Sequence, residues 1–156
     1  MKNKETVLPA PVLIVEDEAM IRSRLDLILS ELGYSQDMLI FAKNLAEAMQ
    51  IIASQPISLA LVDLGLPDGN GITLIEKLRE IDESALILVI SAWSTQQSLF
   101  ASIKAGANGY VLKERDDAEV LMSIRSILRG GAPIDPFIAR EILNQISTSN
   151  TPKLSV

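Results

Sequence analysis

Three acidic residues and a lysine directly follow short apolar segments of this sequence. Glu16 and Asp17 come after "VLIV", and Asp63 comes after "LALV". Lys113 comes after "GYVL". An aspartate that ends a buried segment must be hydrated, ion-paired or metal-bound, because an unpaired carboxylate is costly to remove from water. Three carboxylates at one site would repel one another unless a cation lay between them. Ligands that are all oxygen atoms favour Mg²⁺.

A lysine and a hydroxyl near these acids would suit an incoming phosphoryl group. Lys113 supplies positive charge, and Ser91, which ends the segment "LILVIS", supplies a hydrogen-bond donor. Asp63 between them becomes a candidate nucleophile for phosphoryl transfer. Each residue also has an ordinary structural interpretation. Asp17 could cap the helix that follows it, Glu16 could be a solvated neighbour, and Lys113 could extend from a strand end into water.

These residues can act together only if the apolar segments form one sheet. Segments typical of strands alternate with segments of helical periodicity along the chain. The predicted strands are 11–16, 38–42, 58–63, 86–91 and 109–112, and the predicted helices are 18–32, 44–54, 71–81, 94–105 and 115–129. Strict alternation predicts a doubly wound α/β fold, with a five-stranded parallel sheet and helices on both faces. Ligands of such folds bind at the carboxyl ends of the strands, where the candidate residues lie.

The C-terminal part of the chain predicts an appended sixth helix. Asp135 is suited to be its N-cap and Pro136 its first residue. Its apolar stripe consists of Phe137, Ile138, Ile142, Leu143 and Ile146. The final "STSNTPKLSV" predicts a linker or a frayed tail of about ten unstructured residues. The chain is therefore expected to have three parts: an N-terminal tail (1–10), one domain (11–130), and a C-terminal helix with linker (131–156).

Composition excludes several classes of function. Twenty acidic and 14 basic residues give a net charge of −6, which is the wrong sign for DNA binding through phosphate contacts. The chain contains no cysteine and no histidine, so it offers neither a thiolate site nor a phosphohistidine. The N-terminal segment lacks the apolar core of a signal peptide, and no apolar segment is long enough to cross a bilayer. We therefore expect a cytoplasmic protein without membrane association.

Four motifs, in order and spacing, resemble the receiver domain of two-component response regulators. They are "VLIVEDEAMIR", "LALVDLGLPDGNGI", "LILVISAWS" and "AGANGYVLKE", and the resemblance covers about residues 11–130. It implies a flavodoxin-like sheet with strand order 2-1-3-4-5. It also implies that Asp63 is the phosphoacceptor, and that Asp17, Asp63 and the carbonyl of Gly65 bind Mg²⁺ while Glu16 acts through a water.

The same resemblance assigns the groups that respond to phosphorylation. Ser91, Ala92 and Lys113 would bind the phosphoryl group, and Tyr110, by itself an ordinary core aromatic, would rotate inward as Ser91 moves. Residues 94–129, called here the 94–129 face, would form the output surface and a homodimer contact. The implied partner is a sensor histidine kinase, and the domain would catalyse only its own phosphorylation and dephosphorylation.

Two positions near Asp63 differ from the commonest family pattern. Gly65 is smaller than the methionine most familiar at its position, and Trp93 is large. We hypothesise that these residues set how readily water reaches an acyl phosphate, with the glycine opening one side of the site and the tryptophan shielding the other.

The segment "AEVLMSIRSILRGGAPIDPFIAREIL" is similar to the NarL/FixJ subgroup, whose members carry a LuxR-type helix-turn-helix domain downstream. The implied output is transcription through a domain missing from this sequence, which is either a receiver fragment or a protein without an effector. A phosphorylation-independent protein-binding module is the alternative function.

Overall fold

The computed structural model describes residues 8–154, with side chains described for residues 8–147. The strands of the main sheet are β1 (Val12–Val15), β2 (Leu39–Ala42), β3 (Leu59–Val62), β4 (Leu86–Ser91) and β5 (Gly109–Leu112). The helices are α1 (Ala19–Glu31), α2 (Leu45–Ser54), α3 (Gly71–Ile81), α4 (Gln96–Ala105), α5 (Asp117–Leu128) and α6 (Pro136–Leu154). A 3₁₀ turn (Gln36–Met38) precedes β2, and a two-stranded ribbon (Gly65–Leu66 with Gly69–Asn70) follows β3.

All five strands of the main sheet are parallel, in the order β2-β1-β3-β4-β5. The strands are almost wholly apolar, and their side chains alternate between two separate buried clusters. Leu13 and Val15 face the cluster that includes α2, α3 and α4, while Val12 and Ile14 face the cluster beneath α1 and α5. The predicted fold class and strand order are therefore confirmed.

The start of α6 is as the sequence predicted. Pro136 is its first residue, and the Asp135 carboxylate accepts a hydrogen bond from the Phe137 N–H at 3.1 Å. Just before the helix, residues 133–135 pair with β5. The Tyr110 N–H donates to the Pro133 carbonyl at 2.9 Å, and the Asp135 N–H donates to the Tyr110 carbonyl at 2.9 Å. The C-terminal segment is thus joined to the main sheet by backbone hydrogen bonds.

One prediction about the C-terminal segment is wrong. Its tail was expected to be unstructured, yet α6 continues to Leu154. An established helix adds a hydrogen bond with each further residue other than proline, so it can extend through a polar segment of modest helix propensity. The apolar stripe is only partly buried: Ile138 and Ile142 pack against the core, whereas Phe137, Leu143 and Ile146 are exposed. The stripe is wider than the side of α6 that packs against α4 and β5.

The last residues of the predicted N-terminal tail have defined contacts. Leu8 and Ala10 pack against the cluster beneath α1 and α5. The Tyr34 hydroxyl donates to the Pro9 carbonyl at 2.8 Å. Residues 1–7 of that tail, and residues 155–156 at the other end, lie outside the described residues.

Candidate functional site

The parallel sheet brings the predicted polar residues together at the carboxyl ends of its strands. Backbone hydrogen bonds continue the sheet pattern one residue past each strand. The Asp63 N–H donates to the Val15 carbonyl at 3.0 Å, and the Lys113 N–H donates to the Ser91 carbonyl at 2.9 Å. These bonds fix the backbones of residues 63 and 113, so their side chains start from defined positions.

The Lys113 ammonium lies among three carboxylates. Its Nζ is 3.0 Å from Asp63 Oδ2, 3.1 Å from Glu16 Oε1 and 3.3 Å from Glu18 Oε2. The side chains of Asp63 and Glu16 are only 4% and 2% exposed, and that of Lys113 is 12% exposed. The lysine therefore does not extend freely into water, and Glu16 is not a solvated neighbour. One cation faces three anions, so the cluster retains an excess of negative charge.

The electrostatics of the cluster follow from burial. Burial raises the pKa of Glu16 to about 7, and the Asp63 charge adds to that rise, while the Glu18 N–H and Lys113 oppose it. Burial also raises the pKa of Asp63, although the hydrogen bond and charge of Lys113 partly counteract it. For Lys113, burial lowers the pKa but the two carboxylates outweigh it and raise the value overall. The site therefore favours binding of a further cation or a proton.

A metal ion would find suitable ligands at the solvent-facing side of this cluster. One carboxylate oxygen from each of Glu16, Asp17 and Glu18 lies within 4.8 Å of the others. Asp17 and Glu18 are exposed, so an ion held there would keep water ligands, as Mg²⁺ usually does. Asp17 is also near enough to Asp63 for its charge to raise the pKa of that residue. The all-oxygen donor set and its excess negative charge fit Mg²⁺.

The interpretation of Asp17 as a helix cap is wrong. Helix α1 begins at Ala19, its N-cap residue is Glu18, and no side chain accepts a capping hydrogen bond there. The Glu18 N–H is instead accepted by Glu16 Oε2 at 3.0 Å. The Asp17 carboxylate is thus not used by the helix end, which leaves it available as a ligand.

Ser91 and Tyr110 are both buried, and each forms a hydrogen bond with a backbone group of Trp93. The Ser91 Oγ accepts from the Trp93 N–H at 3.2 Å, and the Tyr110 hydroxyl donates to the Trp93 carbonyl at 2.7 Å. Tyr110 is fully buried, so its ring already has the inward position that the resemblance implied for the phosphorylated form. Ala92 is exposed beside them, and its methyl group cannot form hydrogen bonds, so only its backbone could contact a phosphoryl group.

The Trp93 indole lies directly over Gly65. A Cβ atom on residue 65 would be 3.1 Å from Trp93 Cζ2 and 3.4 Å from Trp93 Nε1. The sequence had suggested that Gly65 opens one side of the site while Trp93 shields the other. In the structure, the indole lies on the side that the glycine was expected to open. The lack of a side chain at Gly65 makes room for the indole, and the two residues form a single contact. The Gly65 N–H also donates to Asp63 Oδ1 at 3.3 Å, which places this contact next to the candidate phosphoacceptor.

We expect Gly65→Met to displace the indole, because a Cβ at residue 65 already approaches the ring more closely than ordinary van der Waals contact. Trp93 is the only tryptophan of the chain, so its fluorescence reports this contact directly. The emission maximum should move to longer wavelength as the indole becomes more hydrated. Ala53→Met, on the exposed side of α2, is the matched control and should leave the emission unchanged. An unshifted spectrum for Gly65→Met would show that the indole does not depend on the glycine.

Sequence reasoning missed three residues that contact this site, one of which is Arg22, whose Nη1 donates to the Glu16 carbonyl at 2.8 Å. Glu18 reaches Lys113, and Arg24 of α1 donates to the Lys113 carbonyl at 2.9 Å. The acidic run "EDE" was a signal for Glu18, since its third acid is adjacent to the predicted pair. Arg24 had no signal, because its partner is 89 residues away in the sequence.

Comparison with known proteins gives a consistent result. A family model described as "Response regulator receiver domain" matches residues 12–125. The Fimbriae Z protein of Salmonella typhimurium is 30% identical over 145 residues, which cover 93% of this chain and 67% of that protein. The oxygen regulatory protein NreC of Staphylococcus epidermidis is 26% identical over 148 residues, covering 92% of this chain and 66% of that protein. The chain spans about two thirds of the length of these curated relatives.

Two solved structures are similar over most of the described chain. A two-component response regulator of the LuxR family from Aurantimonas sp. SI85-9A1 superimposes with a TM-score of 0.74 at 27% identity, covering 89% of this chain and 99% of that chain. A CheY-like response regulator receiver domain protein from Methanospirillum hungatei JF-1 has a TM-score of 0.69 at 27% identity, covering 76% of this chain and 93% of that chain. Within the described residues, no helix combines the length and hydropathy needed to cross a membrane.

Proposed function

The chain belongs to the response regulator receiver domain family, and on that premise we propose that it is a phosphorylation switch whose acceptor is Asp63. The observation that carries this proposal is the contact of 3.0 Å between Lys113 Nζ and Asp63 Oδ2, in a cluster with excess negative charge. This chain contains no histidine, so the phosphohistidine donor lies outside this sequence. A sensor histidine kinase is the proposed donor.

In the proposed reaction, a carboxylate oxygen of Asp63 attacks the phosphorus of a phosphohistidine. The new P–O bond forms as the P–N bond breaks, and the electron pair of the broken bond returns to the imidazole nitrogen. The Lys113 ammonium, already 3.0 Å from the attacking carboxylate, balances the charge that the phosphoryl group brings. The raised pKa of Asp63 indicates a desolvated carboxylate, and loss of water makes such a group a better nucleophile.

The proposed cofactor is Mg²⁺, held by Asp17, Asp63 and the Gly65 carbonyl, with Glu16 acting through a water. When bound, it would neutralise charge on the phosphoryl oxygens. Glu16 remains 3.1 Å from Lys113, so it orients the ammonium as well as any bound water. The exposed position of Asp17 lets the donor approach from solvent.

The proposed switch passes through Trp93. A phosphoryl group bonded to the Ser91 hydroxyl and the Ala92 N–H would compete for the contact that Ser91 now makes with the Trp93 N–H. The Trp93 carbonyl is bonded to the Tyr110 hydroxyl, so a shift of residues 91–93 would move the ring of Tyr110 as well. The 94–129 face follows directly in the chain and would carry the change to a second copy or to an output domain.

The wider role is a proposal about a longer protein. We assign the chain to cytoplasmic two-component signalling, with transcription as its output through a DNA-binding domain outside this sequence. The similarity to regulators of the NarL/FixJ type supports that assignment.

The test is to incubate the purified protein with a small acyl phosphate and Mg²⁺, and to locate the adduct by mass spectrometry. Phosphate should appear on Asp63, and chelation of the metal should abolish it. Asp63→Asn should show no adduct, whereas Asp82→Asn, at the half-buried C-cap residue of α3 and outside the carboxylate cluster, should be phosphorylated normally. An adduct that persists in Asp63→Asn would refute the assignment.

One observation supports the alternative function of a phosphorylation-independent binding module. Tyr110 is already inward and hydrogen-bonded in the absence of any phosphoryl group. If the chain acts in this way, Asp63→Asn should leave its self-association and partner binding unchanged. If it is a switch, phosphorylation should alter one of them.

A further inference from the structure

Every nitrogen of the Arg24 guanidinium donates a hydrogen bond, two of them to the loop that follows β5 and one to the first residue of α5. Its Nη1 donates to the Lys113 carbonyl at 2.9 Å, and its Nη2 donates to the Arg115 carbonyl. Its Nε donates to the Asp117 carboxylate. The Arg24 side chain is only 22% exposed, although it lies on the outer helix α1. Two of its three contacts are with backbone, at the point where β5 ends.

Such a contact fixes the loop in a way that a simple ion pair does not. The guanidinium is planar and its donors have a fixed separation, so binding two carbonyls sets the distance and the orientation between them. The peptide group that follows Lys113 is therefore held against α1. The same helix begins just after Glu16 and Asp17, and its N-cap residue Glu18 contacts Lys113. Arg24 thus holds the lysine backbone and the acidic residues in one frame.

The lysine side chain requires such a constraint. A lysine carries a compact charge on a flexible side chain. It lacks the planar set of donors that fixes the orientation of an arginine. Two carboxylates within reach of Lys113 are buried, but Glu18 is 59% exposed and could draw the ammonium outward. Arg115, the next cation along the loop, is paired with Asp135.

We propose that Arg24 is a positioning residue for phosphoryl transfer: by holding the Lys113 and Arg115 carbonyls it keeps the Lys113 ammonium on Asp63. This inference depends on the proposed function, because it assigns Arg24 to the same reaction. It differs from a purely structural role, in which Arg24 would serve only to join α1 to α5 through Asp117.

Three variants separate these roles. Arg24→Gln removes the charge and the fork, and Arg24→Lys keeps the charge but loses the planar set of donors whose fixed separation sets the geometry between the two carbonyls. Asp117→Asn weakens the contact between α1 and α5 while leaving both carbonyl contacts in place. Urea unfolding of each variant reports any general loss of stability.

The first measurement does not depend on phosphorylation. Acetylation of lysines by a small amine-reactive acetylating reagent, followed by mass spectrometry, gives the accessibility of the Lys113 amine relative to that of the exposed Lys77. Both Arg24 variants should increase labelling of Lys113 but not of Lys77, and Asp117→Asn should change neither. Unchanged labelling of Lys113 in both Arg24 variants would overturn the inference, as would an equal increase in Asp117→Asn.

The second measurement is the rate of Asp63 phosphorylation by a small acyl phosphate with Mg²⁺. Both Arg24 variants should slow it by on the order of tenfold, the effect of a small displacement of a positioning group, while Asp117→Asn should keep the parent rate. A normal rate in Arg24→Lys with increased labelling of Lys113 would also overturn the inference. Failure of the proposed function gives a different result: the parent protein itself would then acquire no phosphate on Asp63.

Discussion

Replacement of Lys113 with methionine should lower the free energy of unfolding by about 3–5 kcal/mol at pH 8 in the absence of divalent cations. The reason is that the buried carboxylates of Asp63 and Glu16 would lose the cation that lies 3.0–3.1 Å from them. Urea unfolding at equilibrium measures this loss. Lys77→Met is the matched control. That lysine is 55% exposed and pairs with Glu80 on the helix surface, so its removal should have little effect.

The stability lost in Lys113→Met should depend on pH in a defined direction. The pKa of Glu16 is raised from 4.5 to about 7 in the folded protein, so folding takes up a proton between these values. The stability that protonated Glu16 contributes is fully present below pH 4.5 and is lost as the pH rises through about 7. Without Lys113 that loss becomes larger, so the difference between variant and parent should be greater at pH 8 than at pH 5. An equal loss at both values would mean that the lysine acts through packing rather than charge. Added Mg²⁺ should restore part of the loss at pH 8.

Replacement of Asp135 with alanine should lower the free energy of unfolding by about 3 kcal/mol, from a lost helix cap and lost charge-assisted hydrogen bonds. Its carboxylate has no exposed area, and it accepts from Arg115 Nε at 2.8 Å, Arg115 Nη2 at 2.7 Å and the Phe137 N–H at 3.1 Å. The alanine variant would leave these donors without their acceptor. Since Asp135 joins α6 to the loop after β5, amide hydrogen exchange in α6 should also accelerate.

Two further variants test the origin of that loss. Glu119→Ala removes a second carboxylate that pairs with Arg115. The Glu119 side chain is 56% exposed and lies 3.9 Å from Arg115 Nε, so its loss should change stability little. Asp135→Asn keeps a capping oxygen but loses the charge, so its free energy of unfolding should fall between that of the parent and that of Asp135→Ala. Burial would raise the pKa of Asp135, but Arg115 and the backbone N–H groups of Leu112 and Phe137 lower it overall. The stability contributed by the parent aspartate is therefore lost only at acidic pH, below its unfolded pKa. A full effect of Asp135→Ala at pH 2 would contradict this explanation.

The sequence was sufficient to predict the fold and the main cluster. The fold follows from the order of strands and helices, and the cluster follows from the residues that end the strands. Apolar strands alternating with amphipathic helices specify a parallel sheet, and a parallel sheet must bring Asp63 and Lys113 to the same end. Two resemblances are confirmed by the family match and by the relatives: that of the four motifs to receiver domains, and that of the C-terminal segment to the NarL/FixJ subgroup. Backbone topology therefore accounts for where Asp63 and Lys113 lie, whereas the strand order and the roles of the site residues were predicted from the resemblance.

The remaining features depend on side-chain reach between elements far apart in the sequence. The contact of Trp93 with Gly65, and the contacts of Arg24 with the loop after β5, require the packing angles of particular helices and loops. No periodicity in the sequence records those angles. The pairing of Arg115 with Asp135 is of the same kind, since the two residues belong to different elements and the acid had already been explained as a helix cap.

The pairing of residues 133–135 with β5 has a consequence for how copies of this chain can associate. A strand at the margin of a sheet offers unpaired N–H and C=O groups to other strands, and so it promotes aggregation and domain swapping. At β5 both backbone groups of Tyr110 are already bonded to the chain's own C-terminal segment. A second copy cannot extend the sheet through Tyr110 unless that segment first detaches. Association on this side of the molecule must therefore use helix surfaces, which can be remodelled without exposing a strand that aggregates.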